Sequence, residues 1–352
     1  MRILIDIGHP AHVHFFKNTI WALEKHGHEV MVTARDKDVA IDLLKAYNIP
    51  HIVLTTMGRG KIGLMKEWLI RDYKLLILAK EFKPDILTGI LNPCAAHVSK
   101  LLGKKAIIFN DTEHATFAEA ITYPFTDVII TPSCFKKSLG KKQVRYNGYH
   151  ELAYLHPDYF KPDPAVLDEL GLSKEDIFII LRFVTWGASH DVGQHGIQNK
   201  IRLVKELEKY GRVYITSEGR LDNELENYKI KVPPEKIHDL LYYATLYMGE
   251  GATMATESAI LGTPAIYVSS LAGTMGNFIE LEQKYGLMFN YNDSDIAIKK
   301  AVELIQKPEI KREWNEKRET LLKDKINVTG FMVRFLEDFP MSLEKIKDEI
   351  LG

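Results

Sequence analysis

The chain has 352 residues, of which 46% are hydrophobic and 26% are charged, and its formal net charge is −1. Because a domain averages roughly 150 residues, this length favours two domains, each able to bury a core without a disulfide or a metal. The near-neutral balance lacks the basic face that a general nucleic-acid-binding protein needs. Two cysteines, Cys94 and Cys134, are too few for a disulfide scaffold and fit a reducing compartment.

No apolar run approaches the roughly 18 residues that a membrane-spanning helix requires. The start, MRILIDIGHP, lacks the apolar stretch and the small-residue cleavage site of a signal peptide. The sequence therefore predicts a soluble cytoplasmic protein. It leaves open a peripheral membrane contact and a homodimer, since short amphipathic patches do not show in bulk composition.

Over the first third of the chain, short apolar strands alternate with amphipathic helices. RILIDIG is predicted as a strand, and the apolar spacing from Val13 to Leu23 predicts a helix that stops at Gly27. The next predicted elements are a strand at HEVMVTA, a helix over about 36–48, a strand at HIVL and a long helix that ends before Pro84. Three further strands are predicted: DILTGI, KAIIFN and DVIITP. Such alternation indicates a parallel sheet with helices on both faces.

A proline-rich linker near 150–175 precedes a second series of strands and helices. The predicted strands are DIFIILRFV, RVYITS, TLYMG and PAIYVS, and the predicted helices are HGIQNKIRLVKELEKYG and PPEKIHDLLYYA. From about 293 the chain reads as helical. We therefore predict two α/β domains, over 1–155 and 176–330, with a C-terminal helix over 331–352 that crosses back. Ligands of such sheets bind at the carboxyl ends of the strands, and two facing domains would form a cleft there.

The segment GEGATMATESAILGTPAI, 249–266, carries the clearest candidate site. A glycine turn follows a strand, and a helix begins near Ala252 and Thr253, so its free N–H groups would suit a phosphate. Glu257 lies one turn after Thr253 on the same helix face, where it could bind the two hydroxyls of a ribose. The alternative is that Glu257 is an acid capping the start of the helix.

This segment resembles the nucleotide-binding segment of the GT-B superfamily. That superfamily includes the peptidoglycan glycosyltransferase acting on lipid I and the non-hydrolysing UDP-N-acetylglucosamine 2-epimerases. The resemblance implies two Rossmann-like domains facing a central cleft. It also implies that Glu257 binds the ribose of UDP and that Gly251, Ala252 and Thr253 hold its phosphates.

The N-terminal loop adds to the resemblance, because GHEV at Gly27–Val30 matches the relatives, whereas Pro10-Ala11 replaces their glycine pair. His12 is predicted at a helix tip, as a general base or as a group that stabilises charge on the departing diphosphate. His9, His12 and His14 also suggest a metal, but their spacing does not put all three on one helix face. GT-B relatives generally need no metal, so we predict no cofactor besides the nucleotide-sugar substrate.

Two further loops follow predicted strands. In LRFVTWGASHDVGQHG, 181–196, Arg182 suits a diphosphate, Ser189 could cradle it, and His190 beside an acid could transfer protons. The alternative for His190 is that it caps the next helix. The epimerases carry His-Arg-Arg-Glu in a similar place, and those arginines are absent here.

In NDTEHAT, 110–116, Asp111 and Glu113 follow a strand and are candidates for proton transfer, as in the epimerases. The alternative is a capping box at the next helix, with Asp111 or Thr112 as the cap.

The chain as a whole is most similar to an uncharacterised archaeal and bacterial family grouped with GT-B proteins, from residue 1 to about 330. GHPAHVHFF and RFVTWGASHDVG carry this similarity. We predict a metal-independent glycosyltransferase whose second domain binds a UDP-linked sugar and whose first binds an acceptor, a sugar, a lipid-linked group or a small molecule. The alternatives are an epimerase acting on a UDP-N-acetylhexosamine and a nucleotide-sugar-binding protein without catalysis.

Overall fold

The computed structural model describes residues 1–58, 60–184, 196–217 and 219–351. These residues form two compact units. Unit 1 comprises Met1–Tyr154 and Ile326–Gly352, and unit 2 comprises Leu155–Lys325. The chain thus leaves unit 1 once and returns to it for its last two helices.

Unit 1 is built on a seven-stranded sheet in the order β3-β2-β1-β4-β5-β6-β7. All its strand pairs are parallel. The strands are β1 (Arg2–Ile7), β2 (Glu29–Asp36), β3 (Ile52–Thr56), β4 (Ile86–Ile90), β5 (Lys105–Phe109), β6 (Val128–Pro132) and β7 (Gln143–Tyr146). The helices are α1 (Pro10–Lys25), α2 (Ala40–Ala46), α3 (Gly60–Phe82), α4 (Pro93–Leu102), α5 (Thr116–Thr122), α6 (Leu152–Leu155), α14 (Val328–Glu337) and α15 (Met341–Leu351).

Unit 2 has a five-stranded sheet in the order β12-β11-β10-β8-β9, again with parallel pairs. Its strands are β8 (Phe178–Phe183), β9 (Arg212–Ser217), β10 (Leu246–Gly249), β11 (Ala265–Val268) and β12 (Met288–Tyr291). Its helices are α7 (Ala165–Asp168), α8 (Lys200–Leu207), α9 (Ile237–Tyr243), α10 (Ala252–Leu261), α11 (Gly276–Gln283), α12 (Ser294–Ile305) and α13 (Ile310–Asp324).

The central strands of both sheets are buried at almost every position, as expected for parallel sheets, and this explains their continuous apolar runs. In β1 every residue after Arg2 is buried, including Asp6. One core cluster of unit 1 joins strand residues such as Leu4 and Leu87 to Leu75 of α3. Burial of each such leucine side chain contributes about 1.5–3 kcal/mol to the free energy of unfolding. The predicted α/β class with parallel sheets is confirmed.

The sequence did not predict two strands, β7 and β12. Each is short, carries polar residues and lies at an edge of its sheet. The helix predicted from HGIQNK begins only at Lys200, since the side chain of Asn199 accepts the N–H of Arg202 and caps it there. Within the described ranges, no helix combines the length and the apolarity needed to cross a bilayer.

Candidate functional site

The start of α10 in unit 2 presents the backbone N–H groups of a helix N-terminus. Strand β10 ends at Gly249, which pairs in register with Arg182 of β8. Gly251 then precedes the helix in an extended conformation, and no side chain in the described part of the chain caps this end. The first N–H groups of a helix have no partner within the helix, so this end favours an anion.

The two glycines of this turn make room for Arg182. A Cβ on Gly251 would lie 2.9 Å from Cγ of Arg182, and one on Gly249 would lie 2.8 Å from its Cβ. The guanidinium donates to Oγ1 of Thr216 over 3.2 Å, which holds the side chain across the start of α10. A fixed cation therefore adds to the positive end of the helix dipole.

Glu250, between the two glycines, has a role that the sequence did not indicate. Its carboxylate is 4% exposed and accepts the N–H groups of Val184, at 2.9 Å, and of Ile197, at 2.7 Å. One side chain thus ties together the two ends of the segment between Val184 and Ile197. The predicted site residues Ser189 and His190 belong to that segment and lie outside the described residues.

Glu257 lies in the second turn of α10, where it forms a buried pair with His238 of α9. Oε1 of Glu257 is 2.9 Å from Nε2 of His238, and both residues are at least 96% buried. The capping alternative for Glu257 is wrong, because the N-cap residue is Gly251 and Glu257 lies beyond the first turn, where its carboxylate bonds His238. The imidazole fixes the orientation of the carboxylate.

In unit 1 the start of α1 satisfies its own donors, unlike that of α10. The helix begins at Pro10, which has no N–H, two residues before the predicted start. Nδ1 of His9 accepts the N–H of Ala11 at 3.2 Å, and Nδ1 of His12 accepts the N–H of Gly8 at 3.3 Å. This helix tip therefore offers fewer backbone donors to a phosphate than α10 does.

His12 is a neutral hydrogen-bond donor in this arrangement. Burial lowers the pKa of His12 well below 6.5, and the nearby charges of His9 and Lys37 add to this effect. Because Nδ1 accepts the N–H of Gly8, the single ring proton is on Nε2. His12 thus presents an N–H rather than a lone pair, which suits charge stabilisation better than general-base catalysis.

Asp111, at the carboxyl end of β5, pairs with His150, a residue that the sequence analysis did not select. Oδ2 of Asp111 lies 3.1 Å from Nδ1 of His150. Burial acts to raise the pKa of Asp111, but the charge and hydrogen bond of His150 outweigh it and lower that pKa. An ionised Asp111 holds the proton on Nδ1, so a neutral His150 keeps its lone pair on Nε2.

Nε2 of His150 is buried and has no hydrogen-bond partner among the residues that the structure describes. The ring packs against Phe15, with centroids 4.4 Å apart. A histidine oriented by a carboxylate, with its second nitrogen unpaired, has the geometry of a general base. His12 lies within electrostatic range of Asp111.

Glu113, the second predicted acid of this loop, contacts a backbone N–H group. It is buried, and Oε1 accepts the N–H of Lys136 at 3.2 Å. The capping alternative for Asp111 and Thr112 is wrong, since α5 begins at Thr116 with Ala115 before it and no side-chain cap. Of the two predicted acids, Asp111 therefore pairs with a histidine, and Glu113 accepts a backbone N–H.

The three N-terminal histidines contact different partners. His9 and His12 bond backbone N–H groups, and Nδ1 of His14 lies 3.3 Å from the hydroxyl of Tyr47. Among the described residues, no group of three or more histidine, cysteine or acidic side chains is arranged to hold a metal ion.

Solved structures of two UDP-GlcNAc 2-epimerases and of a glycosyltransferase share this fold. The UDP-GlcNAc 2-epimerase from Methanocaldococcus jannaschii aligns with a TM-score of 0.66 at 16% identity, over 96% of this chain and 99% of that one. The UDP-GlcNAc 2-epimerase from Neisseria meningitidis bound to UDP-GlcNAc gives 0.62 at 12%, over 96% and 99%. The Streptomyces sp. SF2575 glycosyltransferase SsfS6 gives 0.59 at 14%, over 96% and 100%. These similarities establish the GT-B fold.

Sequence comparison gives the family. An uncharacterised protein of Methanocaldococcus jannaschii is 28% identical in an alignment of 308 residues that covers 83% of this chain and 88% of that protein. The profile of one family matches residues 1–330, nearly the whole chain. The chain therefore belongs to the family described as "Protein of unknown function (DUF354)".

Proposed function

We propose that this protein is a glycosyltransferase that binds a nucleotide-sugar donor, UDP-linked, on unit 2. The observation that carries the proposal is the start of α10, which no side chain among the described residues caps, with the Arg182 side chain lying across it. A helix end and a guanidinium together suit a diphosphate. The fold shared with a glycosyltransferase and with an epimerase bound to UDP-GlcNAc supports a nucleotide sugar as the ligand and an enzyme as the class.

Different donor-site residues bind different parts of the nucleotide sugar. Backbone N–H groups at Gly251, Ala252 and Thr253 bind the diphosphate, with Ser189 as a further predicted contact. Arg182 neutralises the charge that grows on the diphosphate as the sugar leaves, which is where electrostatic stabilisation has most effect. Glu257, oriented by His238, binds the hydroxyls of the ribose.

Unit 1 supplies the proton chemistry. Nε2 of His150 takes the proton of an acceptor hydroxyl while the hydroxyl oxygen bonds to the anomeric carbon. The bond from that carbon to the diphosphate breaks, and UDP leaves with the electron pair. Asp111 stabilises the imidazolium that forms, and the N–H of His12 donates to an oxygen of the reacting groups. The predicted acid-base role of His190 remains part of the proposal.

Calorimetric titration with UDP, ADP, GDP and CMP tests the donor site. We expect UDP to bind most tightly and Arg182→Ala to weaken it by roughly tenfold or more, since a hydrogen bond to a charged group contributes about 1.5–3 kcal/mol. Glu257→Ala should also weaken it. Arg202→Ala, at an exposed arginine of α8, is the matched control. Unchanged UDP affinity in both site variants would mean that the donor binds elsewhere.

An epimerase is the competing function, favoured by the ionised carboxylate of Asp111. Proton exchange at C2 needs carboxylates that can move protons, whereas Asp111 is paired with His150 and Glu113 bonds the Lys136 N–H. Incubation of UDP-N-acetylglucosamine in heavy water separates the two. Deuterium at C2 would favour the epimerase, and its absence together with sugar transfer would favour the transferase. Tight UDP binding without turnover would leave a binding protein.

A further inference from the structure

Helix α3 is apolar on two opposite faces. Its inner face, with Leu75 and Ala79, packs into the core of unit 1. Its outer face carries a row of large apolar side chains in solvent: Ile62 (80% exposed), Met65 (61%), Leu69 (68%), Tyr73 (65%) and Ile77 (47%). Their spacing of three and four residues puts them on one side of the helix. We call these five residues the α3 stripe.

The α3 stripe is continuous along four turns. At 1.5 Å per residue, Ile62 and Ile77 are about 22 Å apart. Nearby, Phe117 of α5 is 64% exposed and stacks on Trp68 of α3, with ring centroids 5.9 Å apart. Single exposed apolar residues are ordinary, but a contiguous apolar strip of this length marks an interaction surface.

The charges around the stripe are mainly positive. From Ile62 to Phe82, the exposed charged residues are Lys66, Lys74 and Lys80 and one acid, Glu81, at the end of the helix. The other two acids of this stretch are withdrawn from the outer face, because Glu67 is buried against Arg35 and Asp72 bonds His97. Lys74 also donates to the carbonyl of Leu54. The outer face of α3 therefore combines an apolar row with a basic margin.

We propose that the α3 stripe docks unit 1 onto a lipid bilayer that contains anionic lipids. Apolar side chains enter the interface while lysines contact lipid phosphates, which is how amphipathic helices lie in a membrane surface. A second copy of this chain fits less well, because pairing two stripes would bring lysines of like charge together. The docking requires neither the donor site nor any catalytic residue.

The same helix connects this surface to the reactive end of the sheet. On its inner side, Nη2 of Arg71 pairs with Asp6 at 2.8 Å, and Nη1 would lie 3.8 Å from a Cβ on Gly8. Gly8 in turn donates its N–H to His12. A bilayer held by the α3 stripe would therefore border the unit 1 residues to which we assign acceptor chemistry.

Vesicle co-sedimentation of the full chain tests this inference. We expect binding to vesicles of phosphatidylcholine with phosphatidylglycerol, weaker binding to phosphatidylcholine alone, and release by high salt. Leu69→Glu and Met65→Glu should reduce binding at least tenfold, and Lys66→Glu should reduce it on anionic vesicles. Ile296→Ser, at a residue of α12 that is 52% exposed, is the matched control and should bind like the wild type.

Two results would overturn the inference: a wild-type chain that stays in the supernatant with both vesicles, or a Leu69→Glu variant that binds them unchanged. Sedimentation velocity without lipid adds a third, since a wild-type dimer that Leu69→Glu converts to a monomer would identify the stripe as a self-association surface. The variants change exposed residues, so thermal unfolding should match the wild type. UDP titration of Leu69→Glu separates this test from that of the proposed function, because donor binding should persist.

Discussion

The Glu250 carboxylate should be among the most sensitive positions of unit 2. It is 4% exposed and accepts two backbone N–H groups, from Val184 and Ile197. In Glu250→Gln, one oxygen remains and an NH2 group faces the second N–H. One charge-assisted hydrogen bond is lost and one buried donor is left unsatisfied, so we expect a loss of about 2–4 kcal/mol in the free energy of unfolding.

Urea unfolding of the full chain, followed by circular dichroism and tryptophan fluorescence, measures this loss. Glu303→Gln is the control, because that glutamate is exposed and pairs with Lys300 on the surface. Its cost should be below about 1 kcal/mol. Gly196→Ala offers an independent check, since its Cβ would lie 2.2 Å from Oε1 of Glu250. If Glu250→Gln unfolds at the same urea concentration as the wild type, the carboxylate does not tie the two ends of the segment together.

Three further results follow from the structure. The folded-state pKa of His12 is lowered below 6.5, so as the pH falls the unfolded chain protonates this side chain before the folded chain does. The contribution of His12 to the free energy of unfolding is therefore complete above pH 6.5 and declines as the pH falls below it. His12→Gln should flatten that decline in urea titrations at pH 5 to 7, and an unchanged slope would contradict this expectation. His150→Gln should lower the rate of sugar transfer by roughly 10²–10⁴ with UDP affinity retained, and Asp111→Asn should act in the same direction; equal rates in wild type and His150→Gln would assign the base elsewhere. Gly251→Val should weaken UDP binding in calorimetry, because the new side chain would collide with Arg182; full affinity would show that the turn tolerates the bulk.

Much of the fold follows from local pattern. Short stretches of sequence are enough to recognise the apolar runs of β1, β8 and β10 and the glycines that flank α10. The sequence signals of a buried strand and of a helix end lie within a few neighbouring residues. The start of α10 at Ala252 could be predicted for the same reason. The edge strands β7 and β12 could not, because their pairing comes from a neighbouring strand rather than from their own short sequences.

Contacts between side chains that are far apart in the sequence could be identified only from the tertiary structure. Glu250 bonds residues 66 and 53 positions away, and Glu257 bonds His238, 19 positions away. Asp111 meets His150 because the carboxyl ends of β5, β6 and β7 are neighbours in the sheet, an order that no local pattern encodes. Likewise, the sequence of α3 places apolar residues on all sides of the helix. Only the packing of unit 1 determines which face is buried in the core and which face is exposed to solvent.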